Sequence, residues 1–341
     1  MANINLLDLQ EEEVSYGLKG IKILFYGKNS LGKTPQAMAF PKPLLLMGES
    51  GGSALKGHKV PINKKKDFLD VVKQLTDDKT IDAMQKKFET IVLDCVEDII
   101  EVFETAICRE YGVRDVGEIQ QLQKGNPNGY SVYRKDFKQQ INLLTSNGYT
   151  VIFIAHEETL EREDGTFFIQ PKGSKGDKSS SRFIRDLCDF RFYIKSNGID
   201  LETKKTIMST AWCVETSEFY AGSRFAIKSF INPFTAQNVI DAIIEAQERS
   251  AEEQGSGLQE FKRDTSDYTK EDYIQSMRPY VLTLRKLYPE IVAEIIESQL
   301  GEGMKVSDAS ESQLTELEAI YNRLVTLACD RGIPIEEEDL A

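Results

Sequence analysis

The sequence predicts an α/β core with a mainly parallel sheet, followed by a small helical domain. Two observations lead to this fold class. In the first 250 residues, short apolar runs alternate with helix-compatible stretches, which is typical of buried parallel strands joined by crossover helices. The C-terminal quarter instead carries apolar residues at helical spacing, together with most of the net negative charge.

Short apolar runs, each bounded by turn or charged residues, mark the strands of the predicted core. The four central strands are expected at residues 21–26, Pro43–Met47, Thr90–Asp94 and Thr150–Ala155. Two later segments, Phe190–Lys195 and 206–215, flank the pair Asn197-Gly198. Because Asn-Gly favours a tight hairpin turn, we expect a β-hairpin appended to the parallel sheet.

The domain boundary is predicted from a change in composition. An amphipathic helix is expected to start near Thr235, and the small, polar residues 251–257 that follow are typical of a linker. We therefore predict a core at residues 1–250, a linker at 251–257 and an acidic helical domain at 258–341. In this last part, apolar residues recur at helical spacing from Tyr273 to Leu287 and again from Leu314 to Ala328.

The composition limits the classes of function. The chain has 341 residues, of which 40% are apolar, enough for a substantial core. Its 42 Lys and Arg against 55 Asp and Glu give a net charge of −13, so binding to nucleic acid would have to depend on a local basic patch. The five cysteines include no C-x-x-C pair and there are two histidines, which argues against a disulfide framework and a zinc site. Neither a membrane span nor a signal peptide is evident, so we expect a soluble, cytoplasmic protein.

A phosphate-binding motif directly follows the first predicted strand. The pattern G-x-x-x-x-G-K-[ST] is matched in full by Gly27, Lys28, Asn29, Ser30, Leu31, Gly32, Lys33 and Thr34. Glycines let backbone N–H groups converge on phosphate oxygens, the lysine neutralises the β- and γ-phosphates, and the hydroxyl binds Mg²⁺. The N-terminus of the following helix is expected to point its dipole at the anion. The sequence therefore predicts a site for ATP and Mg²⁺.

A carboxylate further along is the candidate second group for the metal. The strand Thr90–Asp94 ends at Asp94, which follows Lys33 by 94 − 33 = 61 residues. We predict that Asp94 holds Mg²⁺ through the water shell of the ion. Glu97 and Asp98 lie just beyond it and are expected to be solvated acids at the start of a helix.

Two residues are candidates for acting on the attacking water and the γ-phosphate. Glu49 ends the second strand, where it would face the phosphates from the carboxyl end of a neighbouring strand. A plain surface glutamate is an equally good interpretation. His156 follows the fourth strand, at the edge where a γ-phosphate sensor would lie, although a hydrogen-bonded structural histidine is the alternative.

This order of motifs resembles the RecA-like ATPase core. More narrowly, the segments LLLMGESGG, IVLD, VIFIAHE and SRF resemble the phage nucleotide-binding proteins related to RecA, the ATPase branch of the Sak single-strand annealing proteins. The resemblance covers about residues 15–250. It implies that Lys33 and Thr34 bind phosphate and Mg²⁺, that Asp94 is the Walker B residue, that Glu49 is the catalytic base, and that His156 is the sensor at the base of a DNA-binding loop.

The resemblance also implies an oligomer in which one copy acts on the nucleotide of another. Related ATPases place a Lys-x-Arg element late in the core, where it reaches a neighbour's nucleotide. Here the matching stretch is Gly222-Ser223-Arg224, which keeps the arginine and lacks the lysine. Trans activation by Arg224 and a structural role for it therefore both stay open.

Two segments are candidates for contact with DNA. Residues 171–185 have a net charge of +4 and are rich in Gly and Ser, which suits a loop that tracks phosphates, although a solvated loop or a lid over the nucleotide is the alternative. Its basic residues are Lys172, Lys175, Lys178, Arg182 and Arg185. In the second segment, 123–135, Tyr130 and Tyr133 are candidates for stacking on bases beside Arg134, unless these tyrosines pack onto the core.

These observations predict an ATP-dependent protein that binds single-stranded DNA and promotes annealing or strand exchange in phage-type recombination. The ATPase is expected to be stimulated by DNA and to act as a ring or filament of identical copies in the cytoplasm of a bacterial host. Two alternatives remain open. One is a nucleotide kinase with a basic lid, and the other is a nucleotide-gated adaptor whose acidic C-terminal domain recruits a single-strand binding, replication or repair protein.

Overall fold

The computed structural model describes residues 11–48, 55–77, 79–122, 128–174, 179–262, 270–301, 303–310, 313–333 and 335. The chain divides into two compact units, of which the larger is Glu11–Arg263 and the smaller contains the helices from Lys270 onward. The larger unit is a mixed α/β core with a mostly parallel sheet and the smaller is helical, which confirms the predicted fold class.

The helices and strands of the larger unit follow one another along the chain. The strands are β1 Val14–Tyr16, β2 Lys22–Tyr26, β3 Pro43–Met47, β4 His58–Pro61, β5 Thr90–Asp94, β6 Thr150–Ala155, β7 Glu157–Glu161, β8 Phe167–Pro171, β9 Phe190–Lys195, β10 Thr210–Trp212, β11 Gly222–Ser223, β12 Phe230–Ile231 and β13 Leu258–Glu260. The helices are α1 Lys33–Ala37, α2 Lys65–Thr76, α3 Ile81–Lys87, α4 Val96–Tyr111, α5 Ile119–Leu122, α6 Gly129–Ser146, α7 Ser179–Leu187 and α8 Ala236–Gln254.

The main sheet has the order β12-β10-β9-β2-β6-β5-β3-β4, with β11 also paired to β9. All neighbours from β9 to β4 are parallel, whereas β10, β11 and β12 are antiparallel to their partners. The four predicted central strands are β2, β6, β5 and β3, which lie side by side. Helices cover them on both faces, and this explains why their sequences are apolar runs instead of alternating patterns.

Alternate residues of each central strand enter two separate cores. In β2, Leu24 and Tyr26 join the core formed with α2, α4 and α6, while Ile23 and Phe25 join the core formed with α1 and α8. The sheet is therefore the middle of three layers. Because parallel strands end at the same edge, the loops that follow β2, β5 and β6 meet there.

The predicted hairpin is present with a shorter second strand. β9 pairs antiparallel with β10, but β10 spans only Thr210–Trp212 and not residues 206–215. The residues between the strands form an outer turn of their own, with a bridge between Ile199 and Thr206. A second hairpin, β7 with β8, was not predicted.

The predicted linker at residues 251–257 was wrong. Helix α8 continues to Gln254 and ends at Gly255, which adopts the left-handed conformation of a helix C-cap. The chain then pairs with β1 through β13, and Phe261 packs against Gly20 and Gly148. Residues 251–254, Ala-Glu-Glu-Gln, are ordinary helix formers, so their small and polar character did not mark a break. The division between the units falls after Arg263.

The smaller unit is built from α9 Lys270–Leu287, α10 Pro289–Leu300 and α11 Leu314–Asp330. These three helices share an apolar core that includes Met277, Leu284, Ile295 and Leu317. In the part of the chain that the structure describes, no helix is long and apolar enough to cross a membrane.

Candidate functional site

The phosphate-binding motif forms the turn from β2 into α1. Gly27 has a φ of 151° and lies so close to β9 that a Cβ atom there would collide with the carbonyl oxygen of Ile194. Gly32 is the N-cap of α1 with a φ of 86°, another conformation that favours glycine. Both glycines are therefore needed for the path of the loop.

Lys33 lies inside this loop. Its side chain is buried, with 6% of the residue exposed, and Nζ donates to the carbonyl oxygens of Gly27 at 2.8 Å and Lys28 at 2.6 Å. Burial lowers the pKa of Lys33, and this effect is opposed by the nearby Cys95 and by the Asp94 carboxylate. A bound phosphate would be a negatively charged partner for this buried ammonium.

Thr34 and Asp94 are brought together although 60 residues separate them. The Thr34 hydroxyl donates to Oδ2 of Asp94 at 2.7 Å. Asp94 ends β5, and β6 separates β5 from β2 in the sheet. A hydroxyl and a carboxylate are hard oxygen ligands of the kind that Mg²⁺ prefers, so these two residues fit the predicted metal site.

Helix α1, which follows the phosphate-binding loop, is short. It spans only Lys33–Ala37, which is little more than one turn. A helix of this length has a small macrodipole, so the expected contribution of that dipole to anion binding is withdrawn. The backbone N–H groups of the loop and the Lys33 ammonium are the groups left to bind phosphate.

His156 is held by a buried carboxylate. Glu97, 3% exposed, lies in the first turn of α4, and its Oε1 accepts a hydrogen bond from the His156 backbone N–H at 3.1 Å. The same oxygen is 2.7 Å from Nδ1 of the imidazole. The expectation that Glu97 is a solvated acid was therefore wrong. Its spacing from Ile100 and Glu104 places it on the buried stripe of α4, a signal that helical periodicity could have given.

Cys95 adds a third group to this cluster. Its Sγ is 3.9 Å from Nε2 of His156 and 3.4 Å from Oδ1 of Asp94. Among the described residues, Cys95, Glu97 and His156 are the trio whose ligand atoms lie within 4.8 Å of one another. The Oε1 atom of Glu97 already contacts the backbone N–H and Nδ1 of His156. We therefore interpret the trio as a hydrogen-bonded group beside the P-loop.

A cleft of about 540 Å³ opens beside the P-loop. It is lined by Lys28, Asn29, His156, Glu157, Glu158 and Lys172. The hairpin β7–β8 forms one side, because it begins directly after His156 and returns to Lys172, whose backbone N–H donates to the carbonyl oxygen of His156 at 2.8 Å. The first basic residue of the predicted segment, Lys172, is thus hydrogen-bonded to the predicted sensor.

The other basic residues of that segment differ in their surroundings. Lys175 and Lys178 lie outside the described residues. Arg182 is exposed and lies 3.7 Å from Asp186. Arg185 turns inward: its guanidinium lies over the ring of Tyr220, and Nη1 donates to Gln170. These internal contacts argue against the predicted contact of Arg185 with phosphate, and helix α7 replaces much of the predicted loop.

The tyrosine pair also differs from expectation. Tyr133 is 2% exposed and belongs to the core beneath α6, so its predicted stacking on a base was wrong. Tyr130 is half-buried, and the guanidinium of Arg134 lies 5.5 Å from the ring centroids of both tyrosines. Tyr133 follows Tyr130 by three residues, which also suits packing along a buried helix face, and the sequence alone did not distinguish the two interpretations.

Two further candidates are placed differently by the structure. Glu49 lies outside the described residues, so its predicted role as catalytic base stays a prediction. Arg224 has an exposed side chain that contacts Asp189 at 3.0 Å, just before β9, whereas Gly27 meets β9 at Ile194. Asp189 and Ile194 are five residues apart along the strand, a distance of about 17 Å at the rise of a β-strand. Arg224 therefore lies near the amino end of β9, and the P-loop of its own chain lies near the carboxyl end.

The comparisons with known proteins agree with this geometry. A family model described as an AAA domain matches residues 19–225. The chain belongs to this AAA domain family. The matched range contains the P-loop, Asp94 and His156, so the chain carries an ATPase-type nucleotide-binding domain. It is also 34% identical over 338 residues to the SPbeta prophage-derived uncharacterized protein YorG of Bacillus subtilis (strain 168), covering 96% of this chain and 99% of that relative.

Proposed function

We propose that the protein is a Mg²⁺-dependent ATPase that binds single-stranded DNA and promotes annealing or strand exchange in phage-type recombination. The AAA domain supports the nucleotide-dependent part. The name of the relative describes it as prophage-derived, which supports a phage origin and hence a bacterial cytoplasm as the place of action. The narrower relation to the Sak annealing proteins rests on the short segments that resemble them.

The P-loop residues would hold ATP and Mg²⁺. Lys33 would neutralise the β- and γ-phosphates, while Thr34 and Asp94 would hold the metal, in agreement with their hydrogen bond at 2.7 Å. The bound Mg²⁺ would stabilise the negative charge that develops on the phosphate oxygens. The close approach of Gly27 to the Ile194 carbonyl of β9 fixes the path of the loop, which supports a preformed loop whose backbone N–H groups would bind an anion.

Hydrolysis would depend on two residues beyond the P-loop. Glu49 is proposed as the base that orients the attacking water, on the strength of the resemblance. His156 is proposed as the γ-phosphate sensor because it lines the cleft next to Lys28 and Asn29. Its imidazole is fixed by Glu97, which is the arrangement expected of a positioned group.

The observation that carries the DNA-binding proposal is the hydrogen bond from the Lys172 N–H to the His156 carbonyl. It attaches the start of the basic segment to the residue proposed to sense the nucleotide. Lys172 and Arg182 are exposed there, and the sequence adds Lys175 and Lys178. A shift of His156 on ATP binding would therefore move a positively charged strand end, which suits DNA binding that depends on the nucleotide.

Assembly into a ring or filament is part of the proposal. Arg224 lies away from its own P-loop and is exposed, so it would act, if it acts on ATP, on the nucleotide of a neighbouring copy. The smaller helical unit, with its acidic sequence, would then be available for a single-strand binding or replication protein of basic character.

The structure gives less support to a nucleotide kinase with a basic lid. Residues 179–187 form α7, whose Ile184 and Leu187 are buried in the main core. Ser174, just before it, donates a hydrogen bond to Glu104 of α4 at 2.6 Å. A segment anchored in this way on both sides is poorly suited to open and close as a lid over a second substrate.

The test is ATP turnover with and without single-stranded DNA, together with DNA binding at several salt concentrations. We expect DNA to raise turnover, Lys33→Ala to abolish it, and Lys172→Glu to weaken DNA binding more than the matched control Lys73→Glu on the exposed face of α2. For four phosphate contacts, affinity should fall roughly 50-fold between 50 and 200 mM salt. If the rate of ATP turnover is the same with and without single-stranded DNA, and no salt-sensitive binding of DNA is found, the proposal is refuted. Nucleotide binding without turnover would favour the adaptor.

A further inference from the structure

Lys28 is a second cation of the phosphate-binding loop, in addition to the buried Lys33. It is exposed, and together with Asn29 it forms the part of the cleft of about 540 Å³ that belongs to the loop itself. Within the part of the chain that the structure describes, the Lys28 ammonium has no ion pair and no hydrogen bond. A compact, strongly charged group in this position is available to an anionic ligand of the cleft.

The two carboxylates of the same cleft are directed at other partners. Oε1 of Glu158 accepts a hydrogen bond from Gln170 of β8 at 2.6 Å. Glu157 contacts the hydroxyl of Tyr193, and burial together with this carboxylate raises the pKa of the Tyr193 phenol. Among the described residues, neither carboxylate is paired with Lys28. Lys28 therefore remains as a positively charged group on the wall of the cleft.

Lys33 alone offers few donors to a triphosphate. A lysine ammonium has three N–H groups, and two of those of Lys33 are directed at the carbonyl oxygens of Gly27 and Lys28. In this arrangement, one N–H of Lys33 is left for a phosphate oxygen. The γ-phosphoryl group of ATP spreads its charge over three outer oxygens during transfer, so a second cation within reach would stabilise that charge.

The distances in the loop place Lys28 within reach of this group. The carbonyl oxygen of Lys28 lies 2.6 Å from Nζ of Lys33, so the backbone of Lys28 borders the position where Lys33 would meet the β- and γ-phosphates. A lysine carries its ammonium on a flexible four-carbon stem, which lets Nζ turn from the cleft towards a neighbouring anion. Gly27 fixes the point from which this stem starts, because its backbone lies against the Ile194 carbonyl.

The other cations that come into question for this role are placed elsewhere. Arg224 contacts Asp189 near the amino end of β9. Arg185 lies over a tyrosine ring. Lys172 lines the same cleft, but from the side of the β7–β8 hairpin. Among the described residues that line the cleft, Lys28 is thus the cation that also belongs to the P-loop.

We propose that Lys28 is a catalytic residue of the ATPase site, whose ammonium contacts the γ-phosphate of the ATP bound to its own chain. This inference rests on the proposed ATPase function. In hydrolysis, the oxygen of water bonds to the γ-phosphorus, the bond from that phosphorus to the β–γ bridging oxygen breaks, and ADP, inorganic phosphate and a proton are released. Lys28 keeps its proton throughout and stabilises the charge on the γ-phosphoryl oxygens. Because ADP has no γ-phosphate, Lys28 contributes nothing to the binding of ADP.

The first test compares the binding of two nucleotides to the full-length protein by calorimetry, with Mg²⁺ present and without turnover. The probes are ADP and an ATP analogue with a non-hydrolysable imido bridge. Lys28→Met should lower the affinity for the analogue about 10-fold or more, and the affinity for ADP less than about twofold, because only the analogue has a γ-phosphate. The matched control Lys19→Met, exposed before the amino end of β2, should change neither affinity. Equal losses for both nucleotides, or no loss for the analogue, would overturn the inference.

The second test measures turnover and asks whether Lys28 acts on the nucleotide of its own chain. Lys28→Met should lower kcat by about 100- to 1,000-fold, and Lys28→Arg, which keeps the charge, should lower it less. A mixture of Lys28→Met and Lys33→Ala copies should gain no turnover, because no copy then has both lysines beside one nucleotide. A loss of kcat smaller than about 10-fold in Lys28→Met would refute the catalytic role. Recovery of turnover in the mixture would show that Lys28 acts on the nucleotide of a neighbour, which contradicts the inference.

The two tests separate this inference from the function beneath it. If Lys28→Met fails to fold, as judged by its thermal melt, Lys28→Gln replaces it in both tests. Normal ATP turnover by the variant would overturn the inference and leave the proposed function standing. An unmodified protein that binds ATP without turnover would overturn the proposed ATPase and the catalytic role with it. The comparison of the analogue with ADP would then decide the contact of Lys28 with the γ-phosphate alone.

Discussion

Replacing Gly27 by alanine separates the steric demand of the P-loop from the general effect of losing a glycine. Gly27 has a φ of 151° and lies against the Ile194 carbonyl, whereas Gly17 has a φ of 91° with no atom within 4 Å of the position of a Cβ. Both substitutions place a side chain in a conformation that favours glycine. Only Gly27→Ala also creates a collision, so Gly17→Ala is its matched control.

The two costs can be estimated separately. The left-handed conformation costs an alanine roughly 1–2 kcal/mol, and overpacking adds roughly 1–3 kcal/mol. Gly17→Ala should therefore lower stability by about 1–2 kcal/mol and Gly27→Ala by about 2–5 kcal/mol. For a domain of this size each kcal/mol corresponds to a Tm change of about 2–4 °C. The collision also displaces the loop by roughly half an ångström to an ångström, for which a ~100-fold loss of turnover is typical.

The assay is a thermal melt of each variant followed by ATP binding and turnover at a temperature where all are folded. We expect Gly17→Ala to keep full turnover and Gly27→Ala to lose most of it, together with its affinity for ATP. Equal melting temperatures for the two variants, or normal ATP binding by Gly27→Ala, would show that the loop has more room than the structure indicates.

The other expectations concern the metal, the core, the basic segment and the domain boundary. Asp94→Asn should raise the Mg²⁺ concentration for half-maximal turnover by ~10–100-fold, the usual cost of losing an outer ligand. Tyr133→Ala should cost about 3–5 kcal/mol in a denaturant titration and leave DNA affinity unchanged, because its ring is buried. Lys172→Glu should reduce the salt slope of DNA binding by at least about 0.7, while Arg185→Gln leaves it unchanged. A chain that ends at Arg263 should melt as a stable core. It should also bind DNA more tightly, because the acidic unit would no longer repel phosphates; weaker binding would contradict a restraining effect of the acidic unit.

The parts of the fold that were predictable from sequence are those whose signal is local. Buried parallel strands are apolar on both faces, so β2, β3, β5 and β6 were visible as runs, and three of them have the predicted bounds. The P-loop has a fixed spacing because backbone groups must converge on one phosphate. By contrast, β7 is mostly charged and polar, and β8 begins with an apolar stretch of only three residues, 167–169. Neither has the long apolar run of a central strand, and they form a hairpin outside the main sheet.

The parts that were missed depend on partners distant in sequence. In the sequence, Glu97 resembles any acidic residue at the start of a helix. Its carboxylate is a partner of the imidazole of His156, which is 59 residues away in the chain. In the sequence, Arg185 resembles a phosphate-binding arginine. In the structure, its guanidinium contacts Tyr220 and Gln170. A charged residue looks the same in a sequence whether its counter-group is water, a ligand or a side chain from another strand.

The order of the strands gives a physical route by which the proposed nucleotide site and the basic segment would be coupled. β6 lies between β2, which leads to the P-loop, and β5, which ends at Asp94, so its own end is adjacent to both. The chain leaves β6 at His156, makes the β7–β8 hairpin and returns to the same point at Lys172. A hairpin closed by a backbone hydrogen bond at its base moves with that base. A change at His156 would therefore reach the lysine segment through one strand end, without a rearrangement of the sheet.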